Sequence, residues 1–598
     1  MNRKIFVILI LSVFLISSLQ SVRSVELNKN EKTNSNQMFI QKMEASSNPA
    51  DQAEWTVMVY MCGDNVLEGC ATYDLEKIQA ATRFDDSELV NIIVMLDKYG
   101  KGNTFLYKIE DGAKIDLDDN GTIIPDDNEV NMGDPQTLTK FCNWALESYP
   151  ANHTFLVLWG NGNRYRYNGH DWFFRTCVDV NNGVDTLNIF DEIRQSLDQI
   201  TSEGENKIDI IGFDACLMGL LEVAYEIKDC TDYMIASQDT EYIYDVDTSY
   251  GWEYLNPMNK LLNNPSYYAN NPGELCSEFV GSYPADTSFD ELSTLSAIKL
   301  DEVDNLASKI NNLGEHLYEQ SIENRKAVYI NSIFYAQDNV KEFRYLWPGG
   351  SSGYCGCYAD LKHYINLIST KIENDGVEDN YLIEMKDDVN ELLEKVVIAN
   401  NNCSNENVCG LSINMHKPNC SSCRGSSYSR LLFSEYNWDE FVSEFASCWN
   451  NNEWPDEPIV TGDSSVKVGD EYELTIKTND PDGDGLYYEI YWGLDTSDPD
   501  AYLYVGPYEN NEEFTVTHTF KRSDYNIQDP ERGFIIKAFD PWGKSSSTHH
   551  YVTLKLTKSK TSSNSLIRIL MEKFPILSRI ENLFGNTYLL EKLSNLYL

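Results

Sequence analysis

The chain has 598 residues, too many for one ordinary hydrophobic core, so two or three domains are expected. Its composition is globular, 42% hydrophobic and 12% aromatic, with no long low-complexity tract. With 47 basic against 94 acidic residues the net charge is −47, which argues against nucleic-acid binding because phosphate recognition needs a basic face; it suits a well-solvated secreted protein that attracts cations or basic peptides.

The first 24 residues, "MNRKIFVILILSVFLISSLQSVRS", join a short basic start to an apolar run and a Ser-rich end. That pattern predicts a secretory signal, with an uncleaved membrane anchor as the alternative. Residues 25–53 are polar and Asn/Ser-rich and read as a disordered leader or pro-segment. From residue 54 to about 260, near-continuous apolar runs alternate with helix-like segments. The runs are "WTVMVYM" from Trp55, "NIIVMLD" from Asn91, "FLVLWGN" from Phe155, "KIDIIGFDAC" from Lys207 and "DYMIAS" from Asp232. Runs of that kind belong to a parallel sheet buried on both faces. The segments between them, such as "DPQTLTKFCNWALESY" and "LNIFDEIRQSLDQI", space their apolar residues by three and four, as helices do. The expectation is an α/β fold, a mostly parallel sheet flanked by helices, with its site at the carboxyl ends of the strands.

Residues 261–450 read as a helical completion of that domain, with "LDEVDNLASKINNLGEHLYEQ" and "YLIEMKDDVNELLEKVVIAN" as its clearest helices. A polar, Pro-bearing linker follows over 451–458. Residues 459–556 then carry period-two strands between Asp/Gly turns, a C-terminal all-β sandwich. The tail, 557–598, holds one or two amphipathic helices broken at Pro575, too interrupted to span a bilayer. It suits either membrane or cell-envelope association or docking on the protein's own surface. Of the fourteen cysteines, Cys403, Cys409, Cys420, Cys423 and Cys448 crowd one late region, with Cys355 and Cys357 close before it. In a secreted chain these predict disulfides; the lone "CSSC" has no second pair at zinc-finger spacing.

Cys216 ends an apolar strand in "IIGFDACLMG", just ahead of a helix-like run. It reads either as a small buried hydrophobe or as a nucleophile whose thiolate a helix amino terminus would stabilise. Asp214, two residues earlier in a strand, points to the same side and would receive a cationic substrate side chain.

Here the chain resembles the clostripain-type cysteine peptidases. The resemblance runs from about Glu54 to Asn450 through "WTVMVYMCGDNVLE", "NMGDP", "HTFLVLWGNG", "IDIIGFDACLMG", "ASQDTE", "GWEY", "LSAIKLDEVDNLASKI" and "CGLSINMHKP", in the family's order. It implies a caspase-like fold, a Cys–His dyad, cleavage after Arg or Lys, calcium dependence and self-cleavage between the dyad segments. By that match Cys216 is the nucleophile, and Asp214 and Asp239 line the pocket for a basic side chain. The family's histidine follows its strand in a Trp–x–His–Gly arrangement, and this chain reads Trp159-Gly160-Asn161-Gly162, so Asn161 stands at the histidine position. An amide has no basic nitrogen near neutral pH and cannot take the thiol proton, although it can orient a group or donate to an oxyanion.

His170, in the loop after the strand, is a candidate substitute base, with a plain surface histidine as the alternative reading. His153 precedes the strand, roughly 25 Å from Asn161. Arg164 and Arg166 flank the site, and Arg175, Arg194 and Lys207 lie where self-cleavage would fall. Asp116, Asp118, Asn120, Thr122 and Asp127 follow calcium-loop spacing, with Asp rather than Glu in the twelfth place; an acidic hairpin turn is the alternative. "NDPDGDG" resembles the turn that opens polycystic-kidney-disease-type repeats, and Asp480, Asp482 and Asp484 there read as a second calcium site or a plain Asx turn. No organic cofactor is expected. The sequence therefore predicts a secreted clostripain-like endopeptidase acting on peptides with basic residues, or a catalytically impaired homologue that binds basic peptides or surface material.

Overall fold

In a computed structural model, residues 52–557 are described except for 84–87, 163–164, 168–169, 173, 242, 246–247, 250, 284–293, 344–357, 402–404, 416–427, 494–500, 522–523, 525–530 and 547–549. The expected signal, nearly all of the leader and the tail beyond residue 557 lie outside the described residues. Within them, no helix is long and apolar enough to cross a membrane.

Nine strands build the central sheet: β1 (Ala53–Gly63), β2 (Val90–Lys98), β3 (Thr104–Glu110), β4 (Ala113–Asp116), β5 (Ala151–Trp159), β6 (Ile208–Asp214), β7 (Thr231–Ala236), β8 (Leu295–Lys299) and β9 (Val397–Asn401). Their spatial order is β9-β8-β7-β6-β5-β1-β2-β3-β4. The five middle strands pair in parallel and the two at either edge antiparallel. Both faces are covered, as the unbroken apolar runs require. Along β1, Met58, Tyr60 and Cys62 enter one core while Trp55, Val57, Val59 and Met61 enter the other. The helix Pro135–Ser148, capped by Asp134 with a proline in its first turn, lays Leu138, Phe141, Cys142 and Ala145 on the first face. The helix Glu68–Ala81 lays Cys70, Ala71, Leu75 and Ile78 on the second. The direction of winding reverses between β1 and β5, so the crevice of this sheet opens at their carboxyl ends.

The region expected to be helical returns two strands to the sheet. β8 precedes the helix Val303–Tyr318, and the last residues of "EKVVIAN" leave the helix Asn380–Val396 to form β9. Val397 and Ile398 are β-branched, and β9 finds an edge partner in β8, which outweighs the helical spacing read from the sequence.

Beyond the helix Asn437–Asn451, eight strands among the described residues form two facing sheets of three and five strands. Their shared core holds Leu474, Ile476, Leu486, Ile490, Phe534, Ile536 and Leu554. Trp542 belongs instead to the core on the first face of the central sheet, 4.8 Å from Phe445 and 5.7 Å from Phe334 between ring centres. Arg325 crosses the same junction to Asp484 at 3.4 Å. Cys409 and Cys448 are free thiols, each half-buried against neighbouring elements, so the disulfides expected for these two do not form. Cys355, Cys357, Cys403, Cys420 and Cys423 lie outside the described residues.

Candidate active site

Trp159 and Asp214 are register partners where β5 meets β6. The next backbone bond, from Gly160 N to Asp214 O at 3.1 Å, carries the two chains out of the sheet together. Asn161 and Cys216 each follow two residues behind that pair. A side chain on Gly162 would lie 2.0 Å from the Cys216 carbonyl oxygen, so only glycine allows the two loops to approach this closely. Asn161 is held by its backbone, its carbonyl accepting from Thr176 Oγ1 at 2.9 Å. Its side-chain Nδ2 is buried and has no acceptor among the described residues. The loop that carries Asn161 thus stands beside Cys216.

Cys216 is half-buried. Its thiol faces the backbone of Glu241, whose N–H donates to Sγ at 3.3 Å. The helix expected directly behind Cys216 begins only at Leu221 and is seven residues long; Leu217 has a left-handed φ of 60° between them. The helix terminus therefore does not reach the sulfur. Burial is the main cause that pushes the thiol up to about 12. The sequence argument for a lowered thiol pKa fails for that reason.

Beneath Cys216 lies an acidic group. Asp214 Oδ2 accepts from the Tyr254 hydroxyl at 2.6 Å, and its carboxyl shares a hydrogen bond with that of Glu241. Burial, then the nearby Asp74 charge, raises Asp214 to about 7. Burial and the Asp214 charge drive Glu241 well above the carboxylic range, so Glu241 keeps the proton and donates it to Asp214. Asp74 is tied to Trp159 Nε1 at 3.0 Å and to Lys77 at 2.9 Å. Lys77 balances one carboxylate and the shared proton another, leaving about one negative charge. Asp239 is buried beside this group, with Oδ1 accepting the Thr240 N–H at 2.7 Å and its carbonyl accepting from Leu217 N. Sequence reasoning singled out "SQDTE" but chose Asp239 within it; Glu241 is the carboxyl that meets Asp214. Asp74, on the helix behind β1, carried no signal beyond its place in an amphipathic run.

His170 opens the strand His170–Trp172, which pairs with Tyr165–Tyr167 in a hairpin after β5, with His170 opposite Tyr167. The side chains of Arg164, Arg166 and His170 lie outside the described residues. His153 sits at the opposite end of β5 with its ring bonded to Asp209 at 2.8 Å.

In the loop expected to bind calcium, two aspartates accept backbone N–H groups. Asp119, which the spacing argument left out, accepts from Gly121 N at 3.2 Å, Ile124 N at 2.8 Å and also Ile123 N, while Asp118 accepts from Asn120 N at 2.8 Å. Asp116 ends β4 in solvent. Among the described residues, three acidic side chains bring oxygens within 4.8 Å of one another at two other places, Asp64–Asp97–Asp179 and Asp480–Asp482–Asp484. At the second, Asp480 Oδ2 and Asp484 Oδ2 are buried without a partner, and Asp482 accepts from the linker N–H of Glu453.

The clostripain family model matches residues 59–445, more than half of the chain. The chain belongs to the clostripain family. Its members are cysteine peptidases, and the α/β sheet with Cys216 at its carboxyl edge is the frame that membership implies. Clostripain of Hathewaya histolytica is 28% identical over 251 residues, covering 38% of this chain and 46% of that protein, so the match spans just under half of that relative. An inactive zymogen C11 protease from Parabacteroides distasonis superposes with a TM-score of 0.46 at 20% identity over 65% of this chain and 98% of its own. A secreted C11 cysteine protease from Bacteroides thetaiotaomicron, in complex with an irreversible peptide inhibitor, gives 0.45 at 20% identity over 65% of this chain and 100% of its own.

Proposed function

We propose that this chain binds peptides through an arginine or lysine side chain and hydrolyses them poorly, as a clostripain-family protein that keeps the recognition half of the site and lacks its proton acceptor. The observation that carries the reading is the pairing of Asn161, with an unused amide donor, against a thiol held up near 12. Cysteine attack needs a thiolate, and a general base contributes typically about 10²–10⁴-fold to such chemistry. The residual negative charge over Asp214, Glu241, Asp74 and Lys77 matches one cationic side chain, and a buried ion partner favours arginine or lysine over a neutral residue. The apolar leader sequence supports secretion, where peptides with basic residues are met outside the cell.

A second reading, a peptidase with His170 as a displaced base, is favoured by one fact: Cys216 stands intact beside the histidine position. Fluorescence anisotropy of a labelled arginyl peptide, with Cys216→Ala as receptor, separates recognition from cleavage. The proposal expects saturable binding that weakens at least about tenfold in Asp214→Asn and for a peptide with norleucine in place of arginine. Equal binding of the arginyl and norleucyl peptides would sink it.

A further inference from the structure

We propose that Asp64, Asp97 and Asp179 form a site for a hard divalent cation of the calcium class, which braces the segment following Asn161 against the central sheet. The three residues come from separate elements. Asp64 follows β1, Asp97 is the penultimate residue of β2, and Asp179 ends the short strand Arg175–Asp179. Their exposures are 1%, 0% and 0%. Three carboxylates at this depth repel one another unless something positive lies between them.

Among the described residues, the donors that reach them are neutral, and the charged groups nearby are acidic: Glu129 acts on Asp97, and the Asp64 and Asp179 carboxyls meet. Asp64 accepts from Gly100 N at 3.2 Å, from Asn181 N at 2.8 Å and from the Asn181 side chain. Asp179 accepts from Met132 N at 2.8 Å, Asn182 N at 2.9 Å and Asn182 Nδ2 at 3.2 Å. Asp97 has one donor, Thr104 Oγ1 at 2.7 Å, on Oδ1. No lysine or arginine is paired with any of the three, again among the described residues. Asp97 Oδ2 is buried with no partner at all, an acceptor left free in an acidic setting. An orphaned carboxylate oxygen is costly, and here its position beside two further carboxylates makes a cation the partner that satisfies it.

The donor set names the kind of ion. All three ligands are oxygens, which suits calcium or magnesium and not zinc or copper. The site differs from the loop at Asp116–Asp127 that the sequence suggested, where Asp118 and Asp119 accept from backbone N–H groups and Asp116 faces solvent. It also accounts for part of "NMGDP", because Met132 N holds Asp179, and Gly133 packs so closely on Asp185 that a Cβ would lie 2.5 Å from its carbonyl carbon. The consequence runs to the active site. Asn65 bonds the Cys62 and Val178 carbonyls at 2.9 and 2.8 Å, and Thr176 on the same strand holds the Asn161 carbonyl. A cation joining β1, β2 and Asp179 fixes that strand and so the loop that presents Asn161.

The test is calorimetric titration of the chelator-treated full chain with calcium chloride, paired with thermal unfolding with and without calcium. Wild type is compared with Asp97→Asn, and with Asp484→Asn as the sandwich control. Asp97→Asn keeps the shape and the Thr104 bond and removes a repelling charge, so its calcium-free form should melt at or above the wild-type temperature. It should bind one calcium fewer, or that one at least about tenfold more weakly, and lose the calcium-dependent rise in melting temperature. Asp484→Asn should keep the calcium-dependent rise that Asp97→Asn loses. If Asp97→Asn fails to fold, Asp64→Asn is read the same way. Unchanged calcium stoichiometry and affinity in the variant, or wild type that binds no calcium, would overturn the proposal; binding of zinc alone would overturn its ion class.

Discussion

Trp159 and Asp214 face each other as the last paired residues of β5 and β6, and Asn161 and Cys216 follow each of them by two. Backbone register thus sets the Asn161 loop beside Cys216. The sheet fixes where the two loops emerge; on the proposed reading, the side chain at position 161 decides whether the thiol proton has somewhere to go.

That close approach depends on Gly162. A methyl group there meets the Cys216 carbonyl oxygen at 2.0 Å and its nitrogen at 2.3 Å, both backbone atoms that cannot swing aside. Gly162→Ala should therefore cost about 1–3 kcal/mol of stability by forcing the loops apart. Thermal or denaturant unfolding of the variant measures it; a melting temperature equal to wild type would mean the two loops do not touch.

The pH dependence of ligand binding follows from Asp214, raised from the ordinary 3.8 to about 7 by burial and by Asp74. A carboxyl whose folded pKa is raised binds protons more tightly in the native state. Its contribution to stability is complete below about pH 4 and is lost as pH climbs through about 7. A cationic ligand prefers the ionised carboxyl, so its affinity runs the other way, rising with pH until about 7 and then levelling. Titrating an arginyl ligand from about pH 5 to 9 checks this, and Asp214→Asn should flatten the curve. Affinity that falls as pH rises through this range would exclude Asp214 as the receptor.

At the domain junction, Trp542 leaves the sandwich core to pack on Phe334 and Phe445. Trp542→Ala should cost about 3–5 kcal/mol at that contact. Two resolved unfolding transitions should replace a shared one in calorimetry, with the sandwich transition unchanged. A single transition at the wild-type temperature would show that the ring contributes nothing to the junction.

Much of the fold was legible because buried parallel strands announce themselves as apolar runs, and each of the five runs quoted for the sheet became a strand of it. The edge strands were not legible. β8 and β9 are five residues each and owe their state to one another across about a hundred residues of chain, which no local period encodes. At the site, Cys216, Asn161 and Asp214 could be placed from their positions behind strands. Glu241 could not, because its meeting with Asp214 depends on how the segment after β7 turns. The Asp64–Asp97–Asp179 group was invisible for a similar reason: three isolated aspartates on three elements have no spacing to read.

The central claim is that the missing imidazole, and not the pocket or the nucleophile, limits this protein. The most direct measurement is kcat/KM on an arginyl reporter peptide for wild type, Asn161→His and the double variant Asn161→His with Cys216→Ala, in the presence of calcium and a mild reductant. The account predicts that Asn161→His exceeds wild type by about 10²-fold or more and that the gain disappears with the thiol. Wild type already as fast as Asn161→His, with its activity abolished by Cys216→Ala alone, would contradict it and place the base elsewhere on the chain.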